Sequence, residues 1–537
     1  MSTIYKGAIP ATYFTAVSKQ WRGTGVVIHL LPDTLDSNPG VTLAGLNAKV
    51  AKVKLGLPDP GYAASRLNRA QMQALWAESD LAVQGVVKDT LTALSENGFT
   101  TMAITVSAPP SWLSTDVLAL TGDMLLAYAQ YVSASVSWLM TLDYAVRLLK
   151  YVELFEEPDK VNPFPHVSPQ DLVSLATRLK AALTLSNPGV SIIGPGLSRV
   201  SSLKATTDPY TDVFIDRIDS LAIYTVHAEP HPSDLQSIIG EETGTDGQGD
   251  LIYRCLQKNV AYISSIAWEK ERWVTSFGAT VVPSAENYAY GIAAARAFCA
   301  ILKSGFTTAC FHTMLDDERG LYMRDMSLTW WRGMYARFGE AFPINGSIYV
   351  SEEMAHGDDT LKAMVLSPRG DRFAILLCRP HLPDTMKGSL RLIIRNPLWS
   401  DQYKVVRFKV EAFPTETDLS AVTSRTTIAT GHATISLSNL PYQSSVLIAS
   451  GEVELNPPLP PRSDTDGDGD EDAGGNSGET SSVLCETILQ VPVHYGVPGS
   501  RFGTIKPGTF YYDSKDKRAK VYGENTWSEV TMLGTPT

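Results

Sequence analysis

Up to about residue 345 the chain alternates short apolar runs with longer stretches in which apolar residues recur every three or four positions. Residues 26–31, 62–67, 101–107, 149–155, 190–194, 221–226, 272–277 and 307–312 have the length and β-branched content of buried strands. Residues 81–94, 123–142, 169–183, 251–267 and 286–302 carry helical periodicity. Strand–helix repetition predicts a parallel sheet. Eight repetitions over about 320 residues predict its closure into an α/β (β/α)8 TIM barrel. Beyond residue 346 helical periodicity stops, and strands are predicted at 361–366, 372–377, 389–394, 404–410, 434–437 and 445–448. These form a C-terminal antiparallel β-sandwich. Residues 453–482 are a linker, running from Pro457-Pro458-Leu459-Pro460-Pro461 through alternating Asp and Gly to Gly, Ser and Thr. The expected domains are 1–345, the barrel; 346–452, the sandwich; 453–482, the acidic linker; and 483–537, a small β-rich satellite.

Composition narrows the function. Hydrophobic residues make up 44% of the 537 positions, enough for large cores. The net charge of −12, without a basic block, excludes a nucleic-acid partner, whose phosphates need clustered Lys and Arg. No apolar run has the roughly 18 residues of a membrane span. The first ten residues lack the apolar core of a secretory signal, and no export by that route is expected. Cys255, Cys299, Cys310, Cys378 and Cys485 are odd in number and scattered, which points to reduced core thiols. Asp464, Asp466, Asp468 and Gly469 open like a calcium loop, but Gly475 stands where the closing acid belongs, so a charged spacer is the better reading. His227-Ala228-Glu229-Pro230-His231 has metal-like spacing, yet Pro230 prevents the helix that would aim both rings together. No metal and no cofactor are expected.

Barrel chemistry sits at the carboxyl ends of the strands. There the chain reads Glu153-Leu154-Phe155-Glu156-Glu157-Pro158-Asp159, Tyr224-Thr225-Val226-His227, Arg272-Trp273-Val274-Thr275-Ser276-Phe277 and Phe311-His312-Thr313. Val106-Ser107-Ala108-Pro109-Pro110-Ser111-Trp112-Leu113, Tyr128-Ala129-Gln130-Tyr131, Ile192-Ile193-Gly194-Pro195, Gly320-Leu321-Tyr322 and Leu440-Pro441-Tyr442-Gln443-Ser444-Ser445-Val446 lie in order around them. In this ordered set the chain resembles the clan-A retaining glycosidases, most nearly glycoside hydrolase family 30, over about residues 20–450. The resemblance implies two carboxylates about 5 Å apart, an acid/base and a nucleophile. It places the acid/base at Glu157, beside Glu156 where the family has asparagine. The nucleophile position is Ser276. Glu157 and Ser276 are therefore expected at one mouth of the barrel, with Glu156, Trp112, His227, Trp273 and His312 as substrate-binding candidates. Trp330 and Trp331 are read as core.

A neutral serine cannot stabilise an oxocarbenium ion as a carboxylate does, and no adjacent base to activate it is evident. Three readings remain: a degenerate barrel that binds glycans, a structural assembly subunit, or an active hydrolase with Glu157 as acid/base. The last would cleave a β-linked surface polysaccharide by using Glu229, Asp316 or Asp317 in place of the missing acid, or by inverting. Glycosidase substrates of this kind lie outside the cell, whereas the chain has no evident export signal. A bacteriophage virion protein, a tail or adhesin component released by lysis, reconciles the two. Its expected partners are a cell-surface carbohydrate and other virion proteins.

Overall fold

The computed structural model describes residues 11–30, 42–56, 81–108, 123–158, 167–197, 221–228, 270–278, 287–316, 320–323, 328–351, 361–368, 372–378, 388–395, 404–413, 424–429, 432–440, 445–455, 493–494, 510–513, 518–522 and 527–529. The chain divides into two compact units, Met1–Pro460 and Pro461–Thr537.

In the first unit, β1 (Ala11–Gln20) precedes the barrel strands β2 (Gly23–Leu30), β3 (Val50–Gly56), β4 (Thr101–Ala108), β5 (Leu149–Glu153), β6 (Ser191–Leu197), β7 (Leu221–Ala228), β8 (Glu271–Phe277) and β9 (Thr308–Phe311). The eight strands pair in sequence order, all parallel, and β9 returns to β2. The described helices are α1 (Leu81–Glu96), α2 (Asp123–Leu139), α3 (Ala145–Leu148), α4 (Pro169–Ser186), α5 (Asn287–Lys303) and α6 (Trp330–Ala341). The start of α4 shows the local logic. Ser168 accepts a hydrogen bond from the Asp171 amide at 3.1 Å, Pro169 occupies the first turn where its missing N–H costs nothing, and Leu172, Leu175, Leu179 and Leu183 form the buried stripe.

The second barrel strand differs from expectation. Residues 62–67 lie outside the described residues, and Val50–Gly56 fills the second place between β2 and β4. Val-Ala-Lys-Val-Lys-Leu-Gly alternates apolar and charged residues like a half-exposed strand, but here both faces are buried and the lysines point inward. The lower half of the barrel is filled by Val27, Val50, Ala103, Ile193, Ile223, Trp273 and Cys310. A Cβ on Gly25 would stand 2.5 Å from Cys310 Sγ, so the glycine makes room for the thiol.

The remaining strands of this unit are β10 (Ser347–Ser351), β11 (Leu361–Leu366), β12 (Phe373–Cys378), β13 (Gly388–Arg395), β14 (Lys404–Phe413), β15 (Ser424–Ala429), β16 (His432–Leu440) and β17 (Ser445–Leu455). They build the side β-sandwich around a separate apolar core that includes Phe14, Met364, Phe373, Ile375, Leu392 and Ile448. β1 joins them, antiparallel to β10 and parallel to β13, although it precedes the barrel in the chain. Helix α5 lies between barrel and sandwich, where Cys299 donates to Leu376 O and Cys378 to Ala295 O. Trp331 is buried, as core packing predicts, and Trp330 is half-buried against Gly291.

The second unit holds β18 (Val493–His494), β19 (Phe510–Asp513), β20 (Arg518–Tyr522) and β21 (Trp527–Glu529), one four-stranded sheet in that order. Residues 457–482, including the calcium-like loop, lie outside the described residues. Among the described residues, no helix is long and apolar enough to cross a membrane.

Candidate functional site

Above the apolar floor the barrel interior turns ionic. Lys52 of β3 and Glu153 at the end of β5 are fully buried, with Nζ 2.5 Å from Oε2. Thr105 of β4 donates to Glu153 Oε2 at 2.9 Å, while Thr225 of β7 and Thr275 of β8 donate to Oε1 at 2.9 and 2.7 Å. Four strands thus converge on the carboxylate of a fifth. Burial alone would raise the pKa of Glu153. The Lys52 ammonium and hydrogen bonds with His227 and Lys52 more than reverse this and hold it well below the usual carboxylate range. A depressed folded pKa gives stability that is complete above the unfolded value of about 4.3 and lost as pH falls through the folded one. The difference in unfolding free energy between wild type and Glu153→Gln is therefore expected to shrink below about pH 4.3. Urea titrations over pH 3–6 measure it, and a difference that grows on acidification contradicts the assignment.

His227 stands on this layer. Lys52 Nζ lies 3.0 Å from its Nε2 and Glu157 Oε1 lies 3.5 Å from its Nδ1. Because an ammonium only donates, the neutral ring must carry its proton on Nδ1, facing Glu157. Burial and Lys52 oppose a second proton, but hydrogen bonds with Glu153 and Glu157 outweigh them, and the His227 pKa lies above the ordinary histidine value.

Glu157 lies just past β5, in the left-handed region at φ 50°, with its amide donating to Gly196 O at 3.0 Å. Gly196 itself has φ 67°, and a Cβ there would stand 2.8 Å from Phe155 O and 3.1 Å from Glu153 Oε1. This backbone frees Glu156 and Glu157 from strand alternation. Glu156 forms an ion pair with Lys54, while Glu157 meets His227 and keeps 13% of its side chain exposed. On β8 the register slips at Thr275, so Val226 faces Val274 but His227 faces Ser276. Ser276 is therefore level with the histidine that holds Glu157, and it is fully buried.

His312, just past β9, meets His29 of β2: their Nε2 atoms are 3.2 Å apart and the rings stack at 5.2 Å. Trp273 corrects its expectation as a sugar platform. It is 2% exposed in the apolar floor, edge-on to Tyr151, because its place on β8 is two residues below Thr275 in the barrel interior. His227 is 1% exposed, with its ring between Lys52 and Glu157, and Glu156 is buried on Lys54. Trp112, Glu229 and Asp317 lie outside the described residues, and Asp316 is half-buried, with its amide donating to Tyr322 O. Sequence reasoning missed Lys52, Lys54, Glu153 and His29. The signal for the lysines was their two-residue spacing within an otherwise apolar strand.

A closed parallel barrel with an antiparallel side sandwich also occurs in solved glycoside hydrolase structures. The chain is similar to a glycoside hydrolase family 30 subfamily 8 xylanase from Clostridium acetobutylicum, with a TM-score of 0.58 and 13% identity over 82% of this chain and 98% of that one. It is similar to a glucosidase from Croceicoccus marinus, with a TM-score of 0.53 and 13% identity over 83% and 100% of the two chains. A family 39 enzyme from Xanthomonas axonopodis pv. citri gives a TM-score of 0.52 and 12% identity over 83% and 98%. No protein-family model and no curated protein sequence matches the chain. At these identities the likeness is one of fold.

Proposed function

We propose that this chain is a glycan-binding protein of the virion, a phage tail or adhesin component, built on a glycosidase barrel that has lost retaining hydrolysis. The reading rests on Ser276, which the sequence resemblance puts where a retaining site needs its second carboxylate: it is buried and pairs in register with His227, the histidine in contact with Glu157, and a hydroxyl cannot replace that carboxylate. The other acids on the described barrel strands and their β5 extension are committed elsewhere. Glu153 is paired with Lys52, Glu156 with Lys54, and Glu271 with Arg22 at the opposite end of the barrel. The barrel fold supports carbohydrate as the ligand class. The acidic Pro/Gly-rich linker leading to a separate sheet suits a particle-attached receptor-binding arm.

Two measurements test the proposal. On an array of bacterial surface glycans the full chain is expected to retain a β-linked polysaccharide without shortening it, and mass spectrometry of particles purified after lysis is expected to find the chain among the structural proteins. No retained glycan refutes the binding role, and absence from the particles refutes the virion role.

A further inference from the structure

His29 and His312 are 283 positions apart in sequence, yet β2 and β9 are neighbours and deliver both rings to the carboxyl end of the barrel. Their Nε2 atoms converge to 3.2 Å. Two imidazole nitrogens at 2.0–2.1 Å from a zinc ion and 3.2 Å from each other subtend about 100°, close to a tetrahedral angle. Both side chains are half-buried. We propose that His29 and His312 form a two-histidine site for a borderline divalent cation such as Zn²⁺, Cu²⁺ or Ni²⁺, with its remaining positions open to water or a ligand oxygen.

The ligand type selects the metal. Neutral imidazole favours zinc, copper and nickel over the oxygen-seeking calcium and magnesium. The charge around the mouth permits a cation. Among the described residues of β3 and of β5 with its extension, Lys52 and Lys54 supply two positive charges and Glu153, Glu156 and Glu157 three negative ones, a sum of 2 − 3 = −1. Lys54 is the register partner of His29, and Glu156 holds its ammonium. Search by sequence spacing misses such a pair because its members are brought together only by barrel closure.

The site is independent of the glycan reading and is tested without a sugar. Full-length protein is titrated with Zn²⁺ against a chromophoric chelator, and Cu²⁺-loaded protein is examined by electron paramagnetic resonance. One-to-one zinc binding is expected, with coupling to two imidazole nitrogens in the copper spectrum. His312→Gln retains hydrogen-bonding capacity towards His29 but replaces a good ligand with a poor one. It is expected to weaken zinc about tenfold or more and remove one nitrogen from the spectrum, as is His29→Ala. His432→Ala, in the sandwich, is expected to bind as wild type does. Unchanged affinity in both site variants, or no one-to-one binding by the wild type, overturns the proposal. If either variant fails to fold, the wild-type copper spectrum still decides, since a signal without two imidazole nitrogens overturns it.

Discussion

Glu153→Gln is expected to destabilise the barrel by about 3–5 kcal/mol, the cost of leaving a buried charge without its counter-ion. Lys52 has no route to solvent, and its Nζ is held between Glu153 and His227. The substitution removes the ammonium's counter-charge and weakens the acceptor of three threonine hydroxyls. Lys52→Met is expected to cost a similar amount by leaving the carboxylate uncompensated. The double variant is expected to be much less impaired than the sum of the two, because neither charge then remains buried alone. Guanidinium unfolding followed by tryptophan fluorescence measures all four proteins. Additive losses, or single losses below about 1 kcal/mol, would show that the pair is not the buried ionic centre of the barrel.

Ser276→Glu is expected to create β-glycosidase activity, raising aryl β-glycoside cleavage about 10²-fold, the scale of one well-placed electrostatic group. The new carboxylate would stand level with His227, which also contacts Glu157. It would supply both a nucleophile and the negative charge that an oxocarbenium-like transition state needs. It would also place a like charge near Glu157 and raise that group's pKa, as a general acid requires. The gain is limited because Glu156 is bound to Lys54 where the resemblance puts an asparagine, and Ser276 is fully buried, so the longer side chain must displace neighbours. Adding Glu157→Gln to Ser276→Glu is expected to return the rate to background. A rate unaffected by Ser276→Glu would show that the mouth lacks more than one carboxylate.

Much of the fold was legible because parallel barrel strands are buried on both faces. Stretches such as 101–107, 221–226 and 272–277 are apolar enough to read directly, and β4, β7 and β8 lie on them. Val50–Gly56 was not, because its lysines imitate a solvent-facing edge and their carboxylate partners are on another strand. β1 hid for a different reason. Its apolar and polar positions fit either sheet, and only the pairing with β10 and β13 assigns it. At the site, motif order singled out Glu157 and Ser276 as candidates. The contacts that define the mouth, Lys52 with His227 across 175 positions and His29 with His312 across 283, depend on barrel closure and leave no local pattern.

The wild-type barrel is expected not to hydrolyse glycosides by the retaining route. Steady-state release of p-nitrophenol from a panel of aryl β-glycosides, with wild type, Glu157→Gln and Ser276→Ala side by side, tests this most directly. Rates indistinguishable from buffer are expected for all three proteins. Robust wild-type turnover, abolished by Glu157→Gln and untouched by Ser276→Ala, would contradict this and establish an active hydrolase that uses Glu157 with a base other than Ser276.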